Sequence, residues 1–214
     1  VKIDPDIPLD IASLIGCGVM TGAGAALNTA KVTPGSSVIV YGAGGVGIAA
    51  IQGARIAGAA EIVAVDLNDE KLNDARRFGA THAVKPEDVD AAKLEITGGD
   101  GFDFALECIG RPLTMRASYD AIRRGGTACI VGVGRAEEMV EFSAFELFFM
   151  EKTLVGSYYG GTDVRSDFHK LLRLYKQGQL DLEGMITRRI KIDEINPALE
   201  AVRNGEVIRQ VIEF

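Results

Sequence analysis

From Ser36 onward, short apolar runs alternate with stretches of helical spacing. The runs are Val38–Tyr41, Ile62–Val65, His82–Val84, Phe102–Cys108, Thr127–Val133 and Thr153–Tyr158. They are rich in Val and Ile and mostly lack strict alternation, which predicts parallel strands covered on both faces. Between them the spacing predicts helices over about Gly45–Ala57, Asp69–Phe78, Asp90–Ile96, Leu113–Arg123 and Ser143–Met150. The helix at Asp69 carries its own end signals. Asn68 suits an N-cap, Asp69 and Glu70 suit the positive end of the dipole, Arg76 and Arg77 suit the other end, and Gly79 supplies a left-handed stop. Strands and helices in this order predict an α/β fold, a doubly wound six-stranded parallel sheet.

Beyond this alternation the pattern changes. A long helix over Asp163–Lys176 ends at Gly178, followed by a strand at Ile186–Ile192, a helix at Glu194–Asn204 and a strand at Ile208–Phe214. These last segments have no place in a six-stranded sheet. The chain therefore divides into an entry segment (1–34), the sheet domain (35–178) and a C-terminal segment (179–214) that packs against something else, such as a further domain.

Composition narrows the function. The chain is 47% hydrophobic and 25% charged, an ordinary globular balance. A net charge of −7 argues against a general nucleic-acid binder. No apolar run approaches the roughly 20 residues of a bilayer span, and no basic region followed by an apolar one stands at the N-terminus. Three cysteines (Cys17, Cys108 and Cys129) without CxxC spacing argue against a disulfide framework and point to a reducing, cytoplasmic setting. Val1 without Met, followed by a Pro- and Asp-containing stretch, reads as the interior of a longer protein or a processed piece.

The chemistry concentrates at Val38-Ile-Val-Tyr-Gly42-Ala-Gly44-Gly45-Val46-Gly47, where a strand runs into G-x-G-x-x-G and a small-residue helix. With 26 glycines in the chain the string alone is weak, and its strand–turn–helix context is what gives it force. Gly42 permits the turn, Gly44 lets a pyrophosphate approach, and Gly47 lets the helix pack closely. The helix N-terminus then offers free N–H groups to phosphates. The alternative is a turn with no ligand. Asp66 ends the second strand about 20 residues beyond the glycines, where an acid accepts ribose hydroxyls and repels a 2′-phosphate, favouring NAD over NADP. Its alternative role is to cap the following helix. Lys71 is close enough to reach the same ribose, or is a surface lysine.

At this point the sequence resembles the medium-chain, zinc-dependent alcohol dehydrogenases, including the glutathione- and mycothiol-linked formaldehyde dehydrogenases. The resemblance runs over nearly the whole chain, through Leu14-Ile-Gly-Cys17-Gly-Val-Met-Thr21, the glycine loop, Val65-Asp66-Leu-Asn-Asp-Glu-Lys71, Phe78-Gly-Ala-Thr-His, Glu107-Cys-Ile-Gly-Arg111, Val131-Gly-Val133 and Glu206-Val-Ile-Arg209. It implies a Rossmann fold binding NAD, and a zinc ligand at Cys17, which on its own reads as a small buried residue. It also implies nicotinamide contacts from Thr21 and Val46, ribose contacts from Asp66 and Lys71, and an adenine-side contact from Ile109 in the Glu107–Arg111 motif, with Arg111 beside the cofactor. Val131, Ser157 and Tyr159 match positions whose backbone holds the carboxamide, and Val133 lies by the substrate pocket. Arg209 matches a pyrophosphate contact, although unaided it reads as a strand-edge surface charge. Cys108 and Cys129 match no ligand and read as core, and His82 and His169 read as structural or solvent-facing.

In this family an N-terminal catalytic domain supplies the other zinc ligands and the proton relay, and the C-terminal segment returns to it. None of those residues occurs here. The resemblance makes 1–34 the linker and helix leading from that domain into the fold, and without that domain the C-terminal segment would pack on nothing or lie on the sheet in some altered way. The resemblance therefore implies the NAD-binding portion of an enzyme oxidising an alcohol to an aldehyde or ketone, inactive alone and not retaining zinc. It also implies a homodimer through Met139–Phe142 and Leu154–Tyr158, while Glu137, Glu138 and Glu141 could equally make a solvated edge. Two alternatives stay open: a stand-alone dinucleotide-binding module without catalysis, and a zinc-free quinone reductase relative.

Overall fold

The computed structural model describes residues 1–214. The strands β1 (Ser37–Tyr41), β2 (Glu61–Val65), β3 (His82–Val84), β4 (Phe102–Glu107), β5 (Ile122–Ile130) and β6 (Thr153–Gly156) form one sheet in the order β3-β2-β1-β4-β5-β6. Every pairing is parallel, so this is the doubly wound sheet expected from the pattern. Lack of alternation has the expected cause. In β1, Val38 and Val40 join the core on one face while Ile39 and Tyr41 join a second core on the other.

Helices α3 (Gly45–Ile56), α4 (Asp69–Arg77) and α8 (Val164–Lys176) contribute to the larger core, and α6 (Pro112–Ala121) to the smaller, with α5 (Val89–Thr97) packed against it. The short helix α7 (Ala144–Phe149) leaves its aromatic residues exposed. At α4 the end signals act as read: Asn68 Oδ1 accepts the Glu70 amide at 2.8 Å, and Gly79 takes φ +114°. Several predicted ends move. The helix α6 stops at Ala121 rather than Arg123, because Ile122 is already extended. The strand β5 carries an irregularity where the register jumps from Phe102↔Ile122 to Phe104↔Thr127. It ends at Ile130 rather than Val133, since the Val131 and Gly132 amides both turn onto the Glu107 carbonyl, at 2.8 and 2.9 Å.

The N-terminal segment corrects the reading of apolar runs. A helical run of 21 residues, Leu9–Thr29, is long and apolar enough by length and composition to cross a membrane. The interruptions Asp10, Ser13 and Asn28 hid it from a search for unbroken apolar stretches. About 67% of its apolar window is buried inside the molecule. It consists of α1 (Leu9–Leu14), a π-turn at Ile15–Val19, α2 (Met20–Gly24) and a second π-turn at Ala25–Thr29. Close packing on α3 is possible because Gly22 has no Cβ: one added there would lie 2.1 Å from the Val46 carbonyl.

The C-terminal segment neither hangs free nor lies on the sheet. Strands β7 (Ile186–Ile190) and β8 (Arg209–Ile212) pair in parallel as a separate two-stranded sheet, with α9 (Ile195–Arg203) between them in sequence. Leu180, Leu182 and Met185 are fully buried in the main core, each worth about 1.5–3 kcal/mol. The buried Gln52 side chain of α3 staples this region. Its Nε2 donates to the Asp181 carbonyl at 3.1 Å and its Oε1 accepts the Asp181 amide at 2.7 Å. Arg77 donates to the Gly184 carbonyl at 2.6 Å, and Arg189 pairs with Asp10 at 2.8 Å.

Candidate cofactor site

In a doubly wound sheet, ligands sit beyond the carboxyl ends of the strands where the strand order reverses, here between β1 and β4. The turn after β1 occupies that point. Gly42 has φ +92° and donates its amide to Val65 at 2.8 Å, and Gly44 is the N-cap of α3. The helix is pressed onto the turn, since a Cβ on Gly47 would lie 1.7 Å from the Gly42 carbonyl. A Cβ on Gly44 would meet nothing within 4 Å. The turn is thus closed on its protein side and open on the side where a pyrophosphate would approach.

Arg209 crosses above this helix end. Cβ atoms built on Gly45 and Gly18 would lie 2.3 Å from its Cζ and 2.0 Å from its Nη2. The reading of Arg209 as a strand-edge surface charge is therefore overturned: β8 carries it inward, half-buried, over the N-terminus of α3. Burial lowers its pKa from the ordinary arginine value, opposed only by the neighbouring Cys17. Arginine remains a cation in any protein setting, and its planar fork suits a phosphate. A partly desolvated cation beside free helix N–H groups fits a dinucleotide pyrophosphate.

Asp66 does more than cap the following helix. One oxygen accepts the Ala43 amide within the glycine turn at 2.8 Å, and the other accepts the Asn68 amide at 3.0 Å, while Asn68 itself caps α4. The carboxylate thereby ties the ends of β1 and β2 together and remains half-exposed. Lys71 directs its ammonium towards the Gly205 turn, where an added Cβ would sit 3.1 Å from Nζ.

On the β4 side, a Cβ on Gly42 would lie 2.7 Å from Ile109 Cγ1. Ile109 is 44% exposed, and Leu67, after β2 on the other flank of β1, is 78% exposed. The sequence reading made nothing of Leu67, a large apolar residue left exposed directly after the acid. It also passed over Glu107. That side chain is fully buried, and its Oε1 accepts the Ile109 and Gly110 amides and the Thr114 hydroxyl at 3.0, 2.8 and 2.7 Å. Its Oε2 has no partner. Glu107 shapes the loop that presents Ile109 and the exposed Arg111, the N-cap of α6.

The remaining predicted residues cluster at the other end. Thr21 and Val46 are half-buried on adjoining helices. Val131 is buried, and Val133 is 91% exposed beyond β5. The Ser157 amide already donates to Ile130 at 2.8 Å, and the Tyr159 carbonyl accepts the Thr162 hydroxyl at 2.8 Å. The Ser157 amide is thereby committed within the chain, while the Tyr159 carbonyl keeps a second lone pair.

Cys17 departs from its unaided reading as a small buried residue. The first π-turn exposes it, and it lines a pocket of about 820 Å³ together with Gly18 and Arg209. Cys129 is buried as expected, and burial pushes its thiol up to about 12. Cys108 is half-buried, its thiol likewise raised by desolvation. His82 sits 3.0 Å from the Thr81 hydroxyl and 3.4 Å from Glu61, a surface contact, and His169 is exposed.

A sheet of this order, with a glycine turn, an acid after β2 and an arginine over the helix end, defines a dinucleotide-binding dehydrogenase domain. The sequence profile of the zinc-binding dehydrogenases matches residues 45–177, and the chain belongs to that family. It is 42% identical to an S-(hydroxymethyl)glutathione dehydrogenase of Saccharomyces cerevisiae and 40% identical to alcohol dehydrogenase 1 of Petunia hybrida. Each match covers 99% of this chain and 56% of the relative. The crystal structure of benzyl alcohol dehydrogenase from Acinetobacter calcoaceticus superposes with a TM-score of 0.95 at 35% identity, over 100% of this chain and 59% of that one. The chain thus spans somewhat over half the length of the relatives it matches.

Proposed function

We propose that this chain is the NAD-binding half of a cytoplasmic, NAD-dependent zinc alcohol dehydrogenase that oxidises an alcohol to an aldehyde or ketone. The observation that carries the reading is Arg209 lying over the N-terminus of α3 beside the open Gly44 turn. The pyrophosphate is held there by helix N–H groups and the guanidinium. Asp66 accepts the adenosine ribose hydroxyls, with Lys71 nearby, and disfavours a 2′-phosphate. Ile109 and Leu67 flank the adenine. Thr21 and Val46 position the nicotinamide, whose carboxamide meets the backbone of Val131, Ser157 and Tyr159. When bound, NAD supplies the hydride acceptor.

A catalytic zinc takes about three protein ligands. This chain offers Cys17, and no group of three or more His, Cys, Asp or Glu converges in it. A complete zinc site therefore does not fit these residues, and the reading assigns the other ligands and the proton relay to parts of the enzyme outside them. Alone, the chain binds NADH and turns over no alcohol.

The same reading pairs two copies through the free edge of β6, where Leu154 is 43% and Tyr158 94% exposed, together with the Met139–Phe142 stretch, whose Met139 is 78% exposed. Phe142, the other end of that stretch, is half-buried, its ring packed edge-on against Tyr119 at 4.9 Å and beneath Arg116.

Titration of the purified chain with NADH and NADPH, followed by cofactor fluorescence, tests the reading. Saturable NADH binding, weakened by Asp66→Ala and absent for NADPH, is expected. Equal binding of both cofactors overturns the NAD preference, and no binding of either overturns the cofactor role. Sustained alcohol oxidation by this chain alone overturns the division of labour.

A further inference from the structure

We propose that the Tyr159 hydroxyl is a positioning group that holds the π-turn at Ile15–Val19 in the form that presents the Cys17 thiol to the pocket shared with Arg209. A π-turn interrupts the ordinary i→i−4 ladder of the helix, and backbone carbonyls displaced from that ladder need other donors. Here the Met20 amide returns to the Cys17 carbonyl, and the Gly16 carbonyl accepts the Tyr159 hydroxyl from 143 residues away. Gly16 and Cys17 are exposed, whereas Ile15, Gly18 and Val19 are buried. The turn thus has one face in the core and one in the pocket.

Tyr159 is held for this contact. It has φ +52°, a left-handed conformation that is unfavourable for a non-glycine residue. Such strain persists only where the surroundings enforce it, and here they do. Gly160 lies so close to the helix that its Cβ would be 2.2 Å from the Met20 carbonyl. Thr29 and Ser157 share a hydroxyl hydrogen bond of 2.9 Å, and Asn28 donates to Gly160 at 3.4 Å. These contacts fasten the 157–161 loop to the later part of the helical run, and the hydroxyl links that fixed loop to the earlier π-turn. Without it the turn is free to return to the α ladder. Removing one residue from a turn swings what precedes it by about 100°, carrying the thiol away from Arg209.

The experiment is Tyr159→Phe in the full chain, which keeps the ring and removes the hydroxyl. The readouts are the rate of Cys17 alkylation by iodoacetamide at fixed pH, located by mass spectrometry, and the carbon-13 carbonyl signal of Gly16. Burial raises the thiols of Cys108 and Cys129 and keeps them a slow background. We expect the Gly16 signal to move and Cys17 alkylation to slow about threefold or more, the worth of one net hydrogen bond. Thr29→Val, which removes one of several ties of the same loop, is expected to slow Cys17 by clearly less than Tyr159→Phe does. An unchanged Cys17 rate in Tyr159→Phe overturns the proposal, as does equal slowing by Thr29→Val. Should Tyr159→Phe not melt cooperatively, the parent chain grown with ring-fluorinated tyrosine, a stronger donor, decides: a shifted Gly16 signal supports the contact and an unmoved one overturns it. The interest of the thiol rests on the proposed function, but the alkylation rate does not, so either can fail alone.

Discussion

Two regions bring groups to the carboxyl end of β1 by opposite means. The glycine turn is shaped by backbone: Gly42 needs a positive φ and Gly47 leaves no room for a Cβ. The C-terminal segment is placed by side chains, namely the Gln52 staple, the buried Leu180, Leu182 and Met185, and the Arg77 and Arg189 contacts. The turn should tolerate changes in its neighbours but no added atom. The segment should tolerate added atoms but not the loss of a few anchors, and it alone carries Arg209.

The largest effect should come from the turn. Gly47→Val places a Cβ where the Gly42 carbonyl stands and should cost about 3 kcal/mol, the upper end of overpacking, with NADH binding lost. A urea midpoint close to that of the parent would show that the turn is not closed as described. Next, Gln52→Leu strands the Asp181 amide and carbonyl, a cost of about 2 kcal/mol. Hydrogen exchange should then show protection lost over residues 180–190 while the β1 amides keep theirs. Equal loss in both would mean that the two regions are one cooperative unit.

Arg209→Ala should scarcely shift the unfolding midpoint but weaken NADH about tenfold, or 1.4 kcal/mol, the low end for a charge-assisted contact. Unchanged affinity would remove Arg209 from the pyrophosphate site. Acid should act least. Asp10 is depressed below the ordinary 3.8 by its hydrogen bond from Arg189. For Asp103, desolvation pushes upward but is outweighed by the Ser37 amide and hydroxyl and by Arg123, so its pKa also falls below 3.8. A depressed folded pKa contributes stability that is complete above the unfolded value and lost as pH falls through the folded one. Stability should therefore be insensitive to these groups at neutral pH and decline only below about 3.8. The decline should be smaller in Asp103→Asn, and a chain that loses as much stability with Asn there excludes Asp103 as its source.

Most of the sheet was legible because parallel strands covered on both faces need continuous apolar runs, and each run from Val38 to Thr153 became a strand. The ends were less legible. Whether β5 reaches Val133 depends on the Glu107 carbonyl capturing two amides, a contact between distant segments. Within the site, Gly42, Gly44, Gly47 and Asp66 were readable from local geometry, as a turn and an acid at fixed spacing. Arg209 and Cys17 were misread on their own residues, because neither the pocket around Cys17 nor the path of β8 is written near them in sequence.

By itself, then, the sequence determined the alternation of strands and helices, the glycine turn and the capping of α4, since each follows from steric and hydrogen-bonding preferences within a few residues. The tertiary structure decided that the helix of the entry segment runs over Leu9–Thr29 with two π-turns and most of its apolar window buried, and that the tail docks through Gln52 instead of lying free. It also decided that a basic residue near the C-terminus comes to rest over the first turn of α3. The physical reason is that burial and long-range hydrogen bonds depend on which surfaces meet, and local spacing carries no record of that.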